Sequence, residues 1–313
     1  MAAGAGAQIV FEGLSEKHFS SIGMIGFYTQ NKQYIAQIAP DIYFYNTLFR
    51  FSGNLGYIYY PDKYYGYGNN TMKVNEEDYT YRLFQFMPVL HKKILSNLYF
   101  GFKFHYAHTE LNETEKGKEL ENGIITGSKG GTVSGFGVNT FWDSRDSNLY
   151  PTKGSYHQFE TVSYVSFLGS NFDFYSYLLD LRHYRSIRSK HIIALRAVLG
   201  TNTGNPPFFI LNSAGSLGNY LRGFTQSRYI EKHVITFQTE YRLPLFQRFG
   251  MVIFGGFGQV AHEIGDISFS ELKPSAGFGF RFVLIPEQKV NLRIDIGKSE
   301  DDSSLDINIM EFF

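Results

Sequence analysis

The stretch Val290-Asn-Leu-Arg-Ile-Asp-Ile-Gly297 decides the fold class. Apolar and polar residues alternate along it, which is the two-residue period of a β-strand with one apolar face and one polar, charged face. The same alternation recurs at 98–106, 233–243 and 276–284. A soluble β-sandwich would show it too, because its sheets also have one buried and one exposed face. The number and length of the strands must therefore distinguish the two architectures.

About fifteen strand-like runs follow one another, separated by turn-rich segments. They lie near residues 3–11, 20–30, 32–44, 47–60, 79–91, 96–109, 131–142, 154–166, 171–185, 190–201, 231–243, 248–260, 274–285, 289–298 and 304–313. So many long strands without a helix would be unusual in one sandwich, whereas a closed barrel leaves no strand edge unpaired in lipid. We therefore predict an all-β chain that forms one transmembrane antiparallel β-barrel domain over residues 1–313. Single-chain bacterial barrels have even strand numbers, so we expect fourteen or sixteen strands.

The composition agrees with a barrel in the outer membrane of a Gram-negative bacterium. The 313 residues include 29 Lys+Arg, 29 Asp+Glu and no Cys, which argues against nucleic-acid binding and against a disulfide scaffold. The 31 Phe and 23 Tyr residues, against a single Trp, favour strands. A mean hydropathy of −0.21 is typical of strands that alternate lipid-facing and lumen-facing residues. No window offers the run of about 20 apolar residues that a membrane helix requires.

The connections and the chain ends carry further expectations. Tight connections such as Gln30-Asn31 and 286–289 alternate with long ones such as 61–78, 110–130 and 202–230, and long loops normally face outward. The Met1–Ala7 segment consists of small residues without a signal-peptide pattern, so we expect a processed or engineered start. In the last run, outward-facing residues alternate with polar ones and the run ends on an aromatic residue, which predicts a C-terminal strand of the kind that exported barrels present to their assembly machinery. The residues concerned are Leu305, Ile307, Ile309 and Phe313.

Residue patterns for bond chemistry are weak. Of nine His residues, only His105 and His108 lie close together, and a three-residue step along a strand puts them on opposite faces, so we predict no metal site. A lipid hydrolase would need an oriented Ser and His pair, and Ser155 and His157 are merely neighbours on one face. The glycine-rich stretch 122–131 lacks P-loop spacing and indicates a mobile loop. We therefore expect no enzyme activity and no cofactor.

Two segments stand out as motifs. The first is Phe141-Trp-Asp-Ser-Arg-Asp-Ser-Asn-Leu-Tyr-Pro-Thr-Lys-Gly154. Its charged residues can satisfy the backbone of a turn and one another, and its proline and glycine can direct the chain into the next strand; these residues are Asp143, Arg145, Asp146, Pro151 and Gly154. A purely structural turn is the simpler interpretation. The second segment is Gly215-Ser-Leu-Gly-Asn-Tyr-Leu-Arg-Gly-Phe224.

Together with the strands that follow to Phe313, these segments resemble the BamA/TamA superfamily of outer-membrane assembly and translocation barrels, the bacterial surface antigen family. Upstream, Tyr28–Gln33 and Pro61–Thr71 resemble its Bacteroidetes-type branch. The resemblance favours sixteen strands. It also implies that the loop near 202–230 folds back into the barrel, and that four of its residues match the family's loop motif: Leu221, Arg222, Gly223 and Phe224.

A guanidinium buried in the lumen needs an acidic partner, because an unpaired buried charge is costly. The resemblance and the alternation of the following strand both point to Glu240 as the partner of Arg222. One strand later the sequence departs from the family's F-x-D-x-G pattern. It reads Phe254-Gly-Gly-Phe-Gly258, so Gly256 stands where a second acidic partner is usual. We therefore expect the loop to be held less firmly, or held elsewhere.

The functional expectation is a barrel that assists insertion or translocation of proteins, or of lipids, by thinning the bilayer locally and opening the seam between its first and last strands. Its partners would be outer-membrane lipids, with client outer-membrane proteins or a periplasmic partner, and no nucleic acid. The alternative is a passive narrow pore or a structural partner of another envelope protein. We expect neither POTRA modules nor a passenger or lipase domain. The oligomeric state stays open.

Overall fold

The computed structural model describes residues 2–11, 18–29, 32–188, 190–215, 221–300 and 302–313. Its strands are β1 (Ala2–Phe11), β2 (Ser20–Thr29), β3 (Tyr34–Phe44), β4 (Phe49–Ser52), β5 (Leu55–Tyr64), β6 (Glu77–Phe86), β7 (Val89–Lys93), β8 (Leu98–Thr114), β9 (Gly131–Asp143), β10 (Gly154–Tyr164), β11 (Phe174–Arg188), β12 (His191–Gly204), β13 (Asn212–Ser213), β14 (Ile230–Glu231), β15 (His233–Phe246), β16 (Phe249–Ala261), β17 (Lys273–Ile285), β18 (Val290–Ser299) and β19 (Ser303–Ile309). Short 3-10 helices lie at Lys73–Asn75, Ser166–Leu168, Phe208–Ile210, Ile264–Asp266 and Phe269–Glu271. No helix within the described ranges has the length and apolar character to cross a membrane.

Seventeen of the strands form one sheet in which every strand pairs antiparallel with its neighbours in the wall. Two positions in the wall are each occupied by two short strands in succession. The strands β4 and β5 both pair with β3 and together fill one position. The strands β6 and β7 fill the next position, because β5 pairs with β6 and β4 pairs with β7. The described wall thus has fifteen positions, and each coincides with one strand-like run of the sequence. The all-β antiparallel barrel is confirmed, whereas an even count of fourteen or sixteen stays a prediction.

The two faces of the wall differ as the alternation predicts. In β17, Phe278 and Phe280 are exposed on the outside, while Arg281, the residue after Phe280, is only 4% exposed and faces the lumen. In β18, Arg293 and Asp295 are buried in the lumen, and Ile296 is exposed. Apolar residues thus cover the outer wall, where lipid can solvate them, and charges face an enclosed interior.

The connections fall at two ends of the barrel. The end that we call the short-turn end carries the turns 45–48, 94–97, 247–248 and 286–289, the turn residue Lys190 and the segment 144–153. The long-loop end carries 65–76, 115–130, 165–173, the described parts of 205–232, and 262–272. Near the short-turn end, Trp142, Phe246 and Phe249 are exposed on the outer wall, as in the aromatic girdles of membrane barrels. The expected tight turn at Gln30-Asn31 lies outside the described residues.

The described parts of the segment 205–232, which we call the long loop, pack inside the barrel. The strands β13 and β14 pair with each other within it, and β12 pairs directly with β15. Its Leu221, Phe224 and Tyr229 form a buried cluster with Val234 and Val260 of the wall. Further along, Phe208 and Ile230 pack against the wall residues Tyr64 and Tyr79. Apolar burial therefore fixes both arms of this loop in the lumen.

The seam between β1 and β19 differs from the rest of the wall. Among the described residues, no backbone pairing joins these two strands, whereas β1 pairs with β2 along ten positions and β19 pairs with β18 along seven. Side chains connect the two sides: Gln8 Nε2 lies 3.4 Å from Met310 Sδ, and both Val10 and Ile309 pack against the buried cluster of Phe19, Leu149 and Val290. One edge of each strand therefore has no partner strand.

The predicted C-terminal strand needs a correction at its end. Leu305 and Ile307 are exposed on the outer wall, as expected, but β19 ends at Ile309 and Phe313 is buried in the lumen. The backbone reverses at Met310, which has a φ of +75°. The residues beyond it find charged partners inside, since Glu311 pairs with Arg281 at 2.8 Å.

Candidate functional site

The tip of the long loop fits against the wall because glycines on both sides allow a close approach. Gly223 has a φ of +97°, a conformation that favours glycine. A Cβ on Gly297 would lie 2.7 Å from the Gly223 nitrogen, and a Cβ on Gly256 would lie 2.8 Å from Leu221 Cδ1. Gly256, which stands where the family usually has an acidic residue, therefore forms the slot that receives Leu221.

Arg222 is the charged centre of this contact and is almost fully buried. Its Nη2 donates to Glu240 on β15, and its Nη1 donates to Asp295 Oδ2 on β18 at 2.8 Å. Its backbone N–H donates to Gln238 Oε1 at 3.1 Å. One guanidinium thus bridges two strands that are three positions apart in the wall. We call Arg222, Glu240 and Asp295 the Arg222 cluster.

Two aromatic rings enclose the guanidinium. The Arg222 Cζ lies 3.6 Å from the ring centroid of Phe254 and 4.3 Å from that of Phe312. Arginine stacks favourably on aromatic faces, and the interaction strengthens where water is excluded. Phe312 belongs to the segment after β19, so the loop from one end and this segment from the other meet at Arg222.

Further arginines surround the Arg222 cluster and share its carboxylates. Asp295 accepts from Arg281 at 2.5 Å and from Arg293 at 2.7 Å, and Glu240 accepts from Arg242 at 2.9 Å. Each buried charge in this network therefore has at least one opposite partner, as burial requires.

The sequence identified part of this cluster. Arg222 contacts Glu240, the partner expected from the family resemblance and strand alternation. The second carboxylate comes from Asp295, two strands beyond Gly256, and Phe254 and Phe312 were not foreseen as its neighbours. The alternation in β18 does predict that Asp295 faces the lumen, as Arg293 does. The sequence does not predict how far the loop extends across the lumen, so it does not predict the contact between Asp295 and Arg222.

The 144–153 turn also has an internal ion pair. Arg145 donates through Nε and Nη2 to both oxygens of Asp143, at 2.9 and 2.7 Å, and its guanidinium lies 4.6 Å from the ring of Tyr156. A bidentate ion pair of this kind fixes the relative orientation of the two side chains in addition to neutralising their charges. The turn residues Asp143 and Arg145 therefore come together as the motif suggested.

Asp146 organises the rest of this turn. Burial acts to raise the pKa of its carboxyl, but hydrogen bonds from the Thr152 hydroxyl and from the backbone N–H groups of Thr152 and Lys153 outweigh burial and lower that pKa. Gly154 follows with a φ of +99° and leads into β10. The carbonyl of Pro151 accepts from Arg242 Nη1 at 3.4 Å, which ties the turn to the residues around the Arg222 cluster.

We predict that Asp146→Ala loosens this turn, because three donors lose their shared acceptor. Each unmade buried hydrogen bond costs about 1–3 kcal/mol, but the partly exposed site lets water replace some of them, so the expected loss in free energy of unfolding is about 1–2 kcal/mol. Hydrogen exchange at the amides of Thr152 and Lys153 should accelerate. Asp266→Ala in a loop at the opposite end serves as the control, and slow exchange in the D146A variant would contradict the assignment.

The same turn spans the short-turn mouth of the barrel. Asn148 exchanges two hydrogen bonds with the backbone of Phe19, at 3.0 and 2.9 Å. Leu149 packs against Phe19 and Val290. The turn thus contacts the beginning of β2 and the beginning of β18, one on each side of the seam.

A Ser and His pair lies on the outer wall near this end. Ser155 Oγ is 2.9 Å from His183 Nδ1, and His157 does not take part. In the described part of the chain no ion pair joins His183 to a carboxylate, the kind of group that orients the base of a catalytic triad.

Comparisons with known proteins identify a related family and similar structures. The family model described as the Omp85 superfamily domain matches residues 22–299. A structure of BamA from Haemophilus ducreyi lacking POTRA domains 1–3 superposes with a TM-score of 0.63 at 14% identity, covering 98% of this chain and 68% of that one. OccK11 (OpdR) from Pseudomonas aeruginosa gives a TM-score of only 0.35 at 10% identity, covering 98% and 88%. No curated protein sequence matches significantly.

At such identities the solved structures show the fold alone, whereas the family model covers most of the chain. It confirms the resemblance to BamA/TamA-type barrels, a superfamily of outer-membrane insertion and translocation proteins. The chain therefore belongs to the Omp85 superfamily and is an integral β-barrel of the bacterial outer membrane.

Proposed function

We propose that this barrel assists the insertion or translocation of outer-membrane proteins, or of lipids, by opening at the seam between β1 and β19. One observation carries the proposal: this is the place in the described wall where adjacent strands meet without backbone pairing. Opening any other position would break a ladder of hydrogen bonds. Within the described wall, opening the seam would break side-chain contacts such as that of Gln8 with Met310, and no such ladder.

The driving force would be strand pairing. Unpaired N–H and C=O groups in lipid are costly, so an incoming strand that pairs with an open edge is stabilised as it enters the membrane. The beginning of β1 favours such an edge, because residues 2–7 are all alanine or glycine and small side chains stabilise a strand pair weakly.

The Arg222 cluster would hold the other side of the seam in place. Its carboxylate Asp295 lies on β18, and the neighbouring Gly223 N–H donates to Ser304 Oγ on β19 at 3.0 Å. The long loop thereby supports β18 and β19 from inside the lumen. A rigid wall on this side would leave β1 as the strand that moves.

We propose outer-membrane lipids as direct partners, with client barrels or a periplasmic partner at the short-turn end. A passive narrow pore is the competing function. The filled lumen argues against it, since the long loop and the segment after β19 meet at Arg222.

A disulfide across the seam tests the proposal. The chain has no Cys, so Gln8→Cys with Met310→Cys introduces the sole pair of thiols. We expect the oxidised variant in lipid vesicles to lose its ability to accelerate folding of an eight-stranded barrel supplied from urea, and dithiothreitol should restore it. Folding is followed by the shift in gel mobility of the unheated client.

The matched control places the disulfide within the paired wall. Gln8→Cys with Gly23→Cys joins two directly opposed residues of β1 and β2, and it should leave the acceleration intact in both redox states. Equal activity of the oxidised and reduced seam variant would refute the opening of the seam.

A further inference from the structure

A positively charged vestibule lies in the lumen at the short-turn end. It is a cavity of about 490 Å³ bounded by the 144–153 turn, by β12 and by β15 to β18. Five cationic side chains and one carboxylate line it, namely Lys190, Arg242, Arg248, Arg281, Lys289 and Glu311. The two buried arginines are neutralised by Glu240, Asp295 and Glu311. The surplus charge therefore sits on the other three cations.

These three cations form a rim. Lys190, Arg248 and Lys289 are exposed at the tips of three consecutive turns, and none of them forms an ion pair within the residues that the structure describes. Consecutive turns are two strands apart, so the tips are spaced by about 10 Å. A row of cations about 20 Å long, without ion-pair partners in the described residues and beside low-dielectric protein walls, attracts negatively charged ligands.

The floor of the vestibule already holds a peptide segment of this chain. Glu311 accepts from Arg281 at 2.8 Å and from Asn291 Nδ2 at 2.7 Å, and the main-chain oxygen of Phe313 accepts from Arg242 at 2.6 Å. The ring of Phe313 packs against Tyr184. This site thus binds a side-chain carboxylate and a main-chain oxygen, with an aromatic ring next to them.

A second feature favours a polypeptide over a phosphate. The Oδ1 atom of Asn291 is buried at the wall of the vestibule and has no hydrogen-bond donor. A phosphate at physiological pH offers chiefly acceptor oxygens, whereas a peptide backbone offers N–H donors.

We propose that the vestibule is a docking site for an acidic, extended segment of another polypeptide, which enters from the short-turn end and pairs with Lys190, Arg248 and Lys289. An extended chain advances about 3.3 Å per residue, so about six residues cover the rim. At the rim, the segment would make the same kind of contacts with cationic side chains that Glu311 and Phe313 make with arginines at the floor.

The test uses a fluorescently labelled hexaglutamate peptide and the full chain in detergent, with binding followed by anisotropy. Hexaglutamate should bind, and hexaglutamine should bind much more weakly. The triple variant Lys190→Glu, Arg248→Glu, Lys289→Glu should bind at least about tenfold more weakly, because each attraction becomes a repulsion, and high salt should reduce the difference. Unheated gel mobility verifies that each variant is folded.

A matched control changes the same number of charges at the other end. Lys116→Glu, Lys118→Glu and Lys129→Glu lie in the 115–130 loop and should leave hexaglutamate binding unchanged. Equal weakening by both triple variants would mean that only net charge matters and would overturn the docking site. Displacement of the peptide by inorganic phosphate at far lower concentration than by sodium chloride of equal ionic strength would overturn the choice of a polypeptide.

This proposal stands apart from opening of the seam. The oxidised Gln8→Cys, Met310→Cys variant should bind hexaglutamate as the original chain does. Failure of insertion with intact peptide binding, or the reverse, therefore separates the two.

Discussion

Replacing Arg222 with alanine is expected to lower the free energy of unfolding by about 3 kcal/mol or more, because the change leaves buried carboxylates with less compensation. Glu240 and Asp295 keep Arg242, Arg281 and Arg293 as neighbours, which limits the loss. Loss of stacking between Phe254 and Phe312 adds to it. The tip of the long loop should also detach from β15 and β18. The R222A barrel should therefore show larger and more frequent conductance steps in planar bilayers.

The measurements are urea unfolding in lipid vesicles and single-channel recording. Arg222→Lys should recover less than half of the lost stability, because an ammonium cannot present a planar fork to two carboxylates on different strands. Lys129→Ala, an exposed cation of the 115–130 loop, is the control. A steady wide conductance in the original chain that R222A leaves unchanged would favour the passive pore.

Replacing Gly256 with alanine is expected to cost about 1–3 kcal/mol, the usual range for overpacking. The added methyl would lie 2.8 Å from Leu221 Cδ1 and against the backbone of β15, so the loop tip or the wall must move. Because the same tip carries Arg222, the shift should also weaken the contact with Asp295. The change in stability and the change in conductance should therefore appear together.

Gly26→Ala provides the matched control, since a Cβ at Gly26 meets nothing within 4 Å. Both substitutions put the same methyl group on a strand glycine, so they share the effect of alanine on the unfolded chain. The difference in free energy of unfolding between them measures the crowding at Gly256, where the added methyl meets both Leu221 Cδ1 and the Phe237 carbonyl oxygen. Equal stability of the G256A and G26A variants would show that the loop tip does not depend on this slot.

Alternation along the chain predicted each position of the wall, because lipid outside and charged groups inside impose a two-residue period on every strand. Phe280 and Arg281 show this rule within two adjacent residues. The count stayed ambiguous for a different reason. Alternation identifies strands but does not determine whether the first and last of them pair, and β1 and β19 do not pair in the described wall.

The candidate site was foreseen only in its local part. Glu240 could be chosen because it lies in the strand that follows the loop, with inward parity. Asp295 could not, because its contact with Arg222 depends on how far the loop tip crosses the lumen. The inward segment after β19 was missed because Met310 adopts a positive φ, and methionine is not a residue type that predicts this conformation. The run to Phe313 was therefore interpreted as a continuous strand.

The position of Trp142 gives this barrel a built-in fluorophore. It is the sole tryptophan of the chain, and it lies half-exposed on the outer wall in the aromatic band near the short-turn end. Its emission therefore comes from a single site at the bilayer interface. Quenching by lipids brominated at different acyl depths would measure how deeply Trp142 lies in the bilayer. It would also measure how much the bilayer beside this residue is compressed, without any added label.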